Sequence, residues 1–109
     1  MLDGPVGHSE LERDFLRLVD RAGLPRPTTQ RTFRGERTIR VDAIWEASGV
    51  VAEVMGHRFH CTALDLRRDA QRRNELQAIG LDVLEFTAHA IGREPEQVIG
   101  MLRRRLGDG

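Results

Sequence analysis

The sequence predicts an α/β sandwich built on one mixed sheet, and three observations carry that prediction. Thr38–Trp45 alternates apolar and polar residues, Val50–Met55 is almost continuously apolar, and the turn Glu46-Ala47-Ser48-Gly49 joins them. A helical stretch from Thr62 to about Ile79 ends at Gly80. The alternating segment Leu81–Phe86 follows at once, and a strand returning after a long helix lies parallel to its sheet through a right-handed crossover. The expected order is helix, two or three antiparallel strands, helix, strand, helix.

Residues 1–8 hold two glycines and a proline without periodicity and are expected to form a flexible tail; residues 9–109 form one domain. Ser9-Glu10-Leu11-Glu12 has capping-box spacing, with Ser9 as N-cap and Glu12 three residues on. Leu11, Phe15, Leu18, Val19 and Ala22 then follow helical spacing until Gly23 and Pro25. Residues 26–37 are polar and arginine-rich, with a short strand expected at Thr32-Phe33-Arg34 and a turn at Gly35. The continuous apolarity of Val50–Met55 suits a central strand covered on both faces, and Gly56 stops it. Thr62 can cap the second helix, with Asp65 in its first turn. Pro95 suits the first turn of a last helix carrying Val98, Ile99, Leu102 and Leu106, which Arg103–Arg105 and Gly107 close.

Composition narrows the function. Apolar residues make up 39% and charged residues 31% of the 109, as in a soluble globular domain, and no apolar run approaches the length of a membrane span. The N-terminus lacks a signal-peptide core, and the single cysteine, Cys61, rules out an internal disulfide framework; a reducing cytoplasm is expected. Net charge is zero, so no global field favours nucleic acid. All 17 basic residues are arginine, so any reaction needing lysine must use another residue.

The chemistry centres on two acids. A hairpin folded symmetrically about Ala47 and Ser48 sets Asp42 opposite Glu53, where like charges repel. Glu53 also interrupts the most apolar strand, where an unpaired carboxylate is costly. A divalent metal would turn the repulsion into binding; the alternative is an Arg40–Asp42–Glu53 ion-pair network. His60, four residues past Gly56, suits a general base near such a site and equally suits a loop histidine. Zinc at His57, His60 and Cys61 lacks a fourth ligand at suitable spacing. Glu12 either completes the capping box or projects toward the acids. On the long helix, Asp69 and Arg73 are an i,i+4 pair, while Arg67, Arg68 and Arg72 either meet phosphates or line a solvated face. No phosphate-binding glycine loop or nucleophile elbow is present.

Val41-Asp42, Glu53-Val54-Met55-Gly56, Phe59-His60, Arg68-Asp69, Arg73-Asn74-Glu75-Leu76 and Gly80–Thr87 occur in an order that resembles a bacterial family of small domains. That family is related to the very-short-patch-repair endonucleases, within the restriction-endonuclease-like superfamily, and the likeness spans roughly residues 9–106. The resemblance implies a restriction-endonuclease-like sandwich and a DNA endonuclease activity dependent on Mg²⁺ or Mn²⁺. It implies metal ligation by Asp42, Glu53 and the backbone carbonyl near Met55, with His60 as base and Glu12 as a supporting acid. Relatives carry an acid where Met55 stands, and more distant nucleases a lysine; methionine is a poor ligand for hard Mg²⁺. The second implication is therefore a catalytically inactive nuclease-fold domain binding DNA or protein, as in abortive-infection-type antitoxins or a repair accessory. Similar domains also follow an N-terminal winged-helix module in longer chains.

Overall fold

The computed structural model describes residues 8–35, 37–55 and 63–107. In chain order it contains α1 (His8–Arg21), β1 (Thr28–Arg34), β2 (Thr38–Trp45), β3 (Val50–Met55), α2 (Ala63–Ala78), β4 (Asp82–Thr87), α3 (Ala88–Arg93) and α4 (Pro95–Leu106). The four strands form one sheet in the order β1-β2-β3-β4. β1, β2 and β3 are antiparallel neighbours, and β4 joins β3 in parallel after the α2 crossover. The chain is thus a mixed α/β sandwich with helices on both faces of a mixed sheet. Among the described residues no helix is long and apolar enough to cross a membrane.

The hairpin register is the expected one: Trp45 faces Val50, Ile44 faces Val51 and Ala43 faces Ala52. Gly49 closes the turn at φ +68°, a conformation that carries a steric cost for side chains with a Cβ. Its carbonyl accepts from the Asp82 amide at 2.8 Å, which ties the start of β4 to the hairpin. Gly80, at φ +92°, ends α2, and its amide donates to the Gln77 carbonyl at 2.9 Å.

Two cores flank the sheet. On one side Leu11, Phe15 and Val19 of α1 pack with Ala43, Trp45, Ala52, Val54, Leu84 and Phe86 of the sheet, and with Ile91, Val98, Ile99 and Leu102 of α3 and α4. Phe15 meets Trp45 edge-on at 6.4 Å and stacks on Phe86 at 5.8 Å. On the other side Leu76 of α2 seals Val41, Ile44 and Val51. β3 lies between β2 and β4 and is buried on both faces, as its apolar run requires.

Four expectations are corrected. Helix α1 begins at His8, so Ser9 lies inside its first turn and is not the N-cap. Glu12 sits beyond that turn and instead accepts a hydrogen bond from Gln30 Nε2 of β1. Strand β1 covers Thr28–Arg34 rather than three residues, because pairing with β2 fixes a segment too polar to show alternation. A separate helix α3 precedes α4; Thr87 caps it, accepting from the Ala90 amide at 3.0 Å, and Ile91 anchors it in the core. Residues 1–7 of the expected tail, the Thr62 cap, the Asp65 side chain and the zinc reading at His57, His60 and Cys61 lie outside the described residues.

Candidate functional site

Asp42 and Glu53 occupy the point where the β2–β3 ladder stops. Backbone pairing reaches Ala43–Ala52, and one step further the side chains take over. The Asp42 amide donates to Glu53 Oε2 at 2.9 Å, and the Val54 amide donates to Asp42 Oδ2 at 2.9 Å. Each carboxylate therefore accepts an amide of the opposite strand. Such bonds to a charged acceptor are each worth about 1.5–3 kcal/mol when buried. This reciprocal arrangement makes a facing pair of acids tolerable in the middle of a sheet.

The β1–β2 pairing is interrupted at the same level. Thr29 pairs with Ala43 and Arg31 with Val41, which leaves Gln30 opposite Asp42 but outside the ladder. Gln30 has φ +54°, the one non-glycine residue with positive φ among the described residues. Strain of this kind costs on the order of 1 kcal/mol and persists where its surroundings enforce it. Strict alternation also breaks here, since Val41 and Ile44, three residues apart, pack in the same cluster.

The cation at Glu53 is Arg72. Its Nη2 lies 2.7 Å from Glu53 Oε1 and donates to the Arg40 carbonyl at 2.6 Å. Arg40 thus contributes its backbone, and the expected Arg40 bridge is replaced by one from α2. Arg72 stands one helical turn before Leu76, which is fully buried against the sheet. That i,i+4 spacing was the sequence signal for Arg72 facing inward with Leu76. Glu12 thus meets Gln30 of β1, Gln30 stands opposite Asp42, and Asp42 and Arg72 both bond Glu53.

Glu53 is 7% exposed and is the buried polar or charged residue of the described core. Burial pushes its carboxyl above the ordinary value of 4.5, and the nearby Asp42 charge pushes the same way. The Asp42 amide and Arg72 pull it back without cancelling the burial effect. Desolvation wins because a charge loses more solvation in a dry site than one partner returns.

The remaining candidates scatter. Met55 is the last residue of β3 and lies opposite Thr87 of β4. Arg67 and Arg68 are exposed on α2. Arg73 bonds Glu85 rather than Asp69, with contacts of 3.3–3.4 Å. His60 lies outside the described residues.

A divalent ion fits this arrangement poorly. Mg²⁺ requires a near-octahedral shell of oxygen donors. Glu53 gives one oxygen to Arg72 and the other to a backbone amide. The guanidinium also brings positive charge to the place the ion would need. Among the described residues, no group of three or more His, Cys, Asp or Glu side chains could hold a metal. No protein-family model, curated protein or solved structure matches the chain.

Proposed function

We propose that this chain is a restriction-endonuclease-like domain, related to the very-short-patch-repair endonucleases, that binds nucleic acid in the cytoplasm with its carboxylate site closed to hydrolysis. The observation that carries the reading is the Arg72–Glu53 contact at 2.7 Å, which commits the buried acid to a protein cation. Met55, where relatives carry an acid, supports the same conclusion. The element order α1, three antiparallel strands, α2 and parallel β4 supports the architecture. Arg67 and Arg68, exposed on the helix that supplies Arg72, are the phosphate contacts in this reading. Their partner is DNA; a protein partner or a preceding winged-helix module would complete the role of an antitoxin or repair accessory.

Fluorescence anisotropy with short labelled duplexes tests it. Affinity is expected to fall with salt, to survive Glu53→Gln and to weaken in the double variant Arg67→Glu/Arg68→Glu. Binding that ignores both the salt and the two arginines would reject DNA as the partner.

A second reading keeps the Mg²⁺- or Mn²⁺-dependent endonuclease, and one observation favours it: Asp42 and Glu53 are held together where the ladder opens. Plasmid cleavage in either metal that disappears in Asp42→Asn would establish that reading over the first.

A further inference from the structure

We infer that a second copy of this chain docks antiparallel along the exposed face of α1, giving a two-fold dimer held by ion pairs between the copies. The inference goes beyond the DNA-binding reading, does not depend on it, and rests on the order of charges along that helix.

Leu11, Phe15 and Val19 turn one face of α1 into the core. Glu10, Asp14, Arg17 and Arg21 fall on the other side, and all four are exposed. Helical spacing keeps them in a single row that begins with two acids and ends with two arginines. Laid antiparallel on a copy of itself, the row sets Glu10 opposite Arg21 and Asp14 opposite Arg17, and the two-fold axis repeats both pairs. A parallel arrangement sets like charges side by side, so the same row disfavours it. The flanks agree with this pairing. On one, Arg13 comes beside Asp20 of the second copy. On the other, the half-buried Leu18 and Pro95 border a depression of about 300 Å³, and the axis brings that flank of each copy against its counterpart.

The charged groups are available for such pairing. Glu10 and Arg21 make no ion pair among the described residues. Arg17 Nη1 stands 3.6 Å from Asp14 Oδ1 within the helix, too far for a hydrogen bond, with side chains 67% and 54% exposed. The helix dipole accounts for Glu10 in the first turn and Arg21 in the last, but not for Asp14 and Arg17 continuing the same order inside. Across an interface each guanidinium can meet a carboxylate through two parallel N–H···O bonds, a geometry that arginine offers and lysine lacks. Exposed ion pairs are individually weak and screened by salt, so the dimer is a weak one that depends on the whole row.

Sedimentation equilibrium of the full chain from micromolar to millimolar concentration tests the inference. Wild type is expected to show a monomer–dimer equilibrium, weakened at least about fivefold when salt rises from about 0.05 to about 0.5 M. Glu10→Arg/Asp14→Arg makes the row wholly basic, and Arg17→Glu/Arg21→Glu makes it wholly acidic. Each alone is expected to weaken the homodimer at least about tenfold, while their equimolar mixture recovers wild-type association or better. Combining all four reversals inverts the order of charges, so that protein should dimerise with itself and not with wild type. Circular dichroism checks that each variant is folded. Where a reversal unfolds the chain, Glu10→Gln/Asp14→Asn and Arg17→Gln/Arg21→Gln replace it, each expected to weaken the dimer about fivefold. A wild type that stays monomeric at low salt overturns the inference. So does a dimer indifferent to these substitutions, or a mixture of the two folded, oppositely charged rows that does not associate.

Discussion

Glu53 is a buried acid whose burial outweighs its ion pair, and that ordering has a pH consequence. Its carboxyl titrates above 4.5 in the folded chain, so between the ordinary and raised values the native state binds more protons than the unfolded state. Glu53 therefore favours folding most at low pH, and its contribution declines as pH rises through that window. Urea denaturation across the acid range should show wild type losing stability relative to Glu53→Gln as pH increases; a gap widening in the opposite direction would contradict the raised carboxyl. Trp45, the sole tryptophan, donates from Nε1 to the Pro25 carbonyl at 2.6 Å while its ring packs on Phe15. Trp45→Phe keeps an aromatic ring but leaves that carbonyl without its donor. A loss of about 1–3 kcal/mol is expected by chemical denaturation followed with circular dichroism. At this scale the sequence disclosed the acids, because hairpin symmetry alone sets Asp42 and Glu53 side by side. The cation at Glu53 showed only as the i,i+4 spacing of Arg72 and Leu76, since the reach of Arg72 depends on how α2 crosses the sheet, and that placement is tertiary. Gln30 was equally hidden: nothing in a glutamine announces a positive φ.

Elements with a strong apolar period were legible, and elements held by their neighbours were not. The stripe Leu11, Phe15 and Val19 announces α1, and the run Val50–Val54 announces a central strand. β1 buries little of itself and exists because β2 offers it a ladder. α3 spans six residues with one buried side chain, too short for a helical period to emerge. Its start depends on the Thr87 hydroxyl, so Thr87→Ala is expected to cost about 1 kcal/mol in equilibrium unfolding. Gly49→Ala should also destabilise, by about 1 kcal/mol, because a Cβ is strained at φ +68°. That loss would appear as a lower urea midpoint at unchanged m.

Across the whole molecule the two cores are unequal. The α1, α3 and α4 side holds the aromatic cluster and most of the buried residues, while among the described residues Leu76 is the one fully buried side chain that α2 contributes. Leu66 and Ile79, near the two ends of the α2 segment, are 57% and 60% exposed. Leu102, fully buried in α4, is the natural probe of the larger core, and Leu102→Ala is expected to lower stability by about 2–5 kcal/mol in chemical denaturation. Fold class was readable from the order of periodic segments, whereas this asymmetry was not, because α2 has helical length without a wide apolar stripe. The closing of α1 by α4 also bears on how the chain acquires its shape during synthesis. Leu11, Phe15 and Val19 emerge first, but Val98, Ile99 and Leu102, which cover them, emerge last. The local β1–β2–β3 meander can assemble early and give the α1 stripe a sheet to pack on, whereas the part of that stripe covered by α4 must wait until the chain has been made through Leu102. A ribosome-tethered fragment ending before Pro95 should thus expose that part of the stripe to chaperones, and release of about a dozen further residues should withdraw it from them.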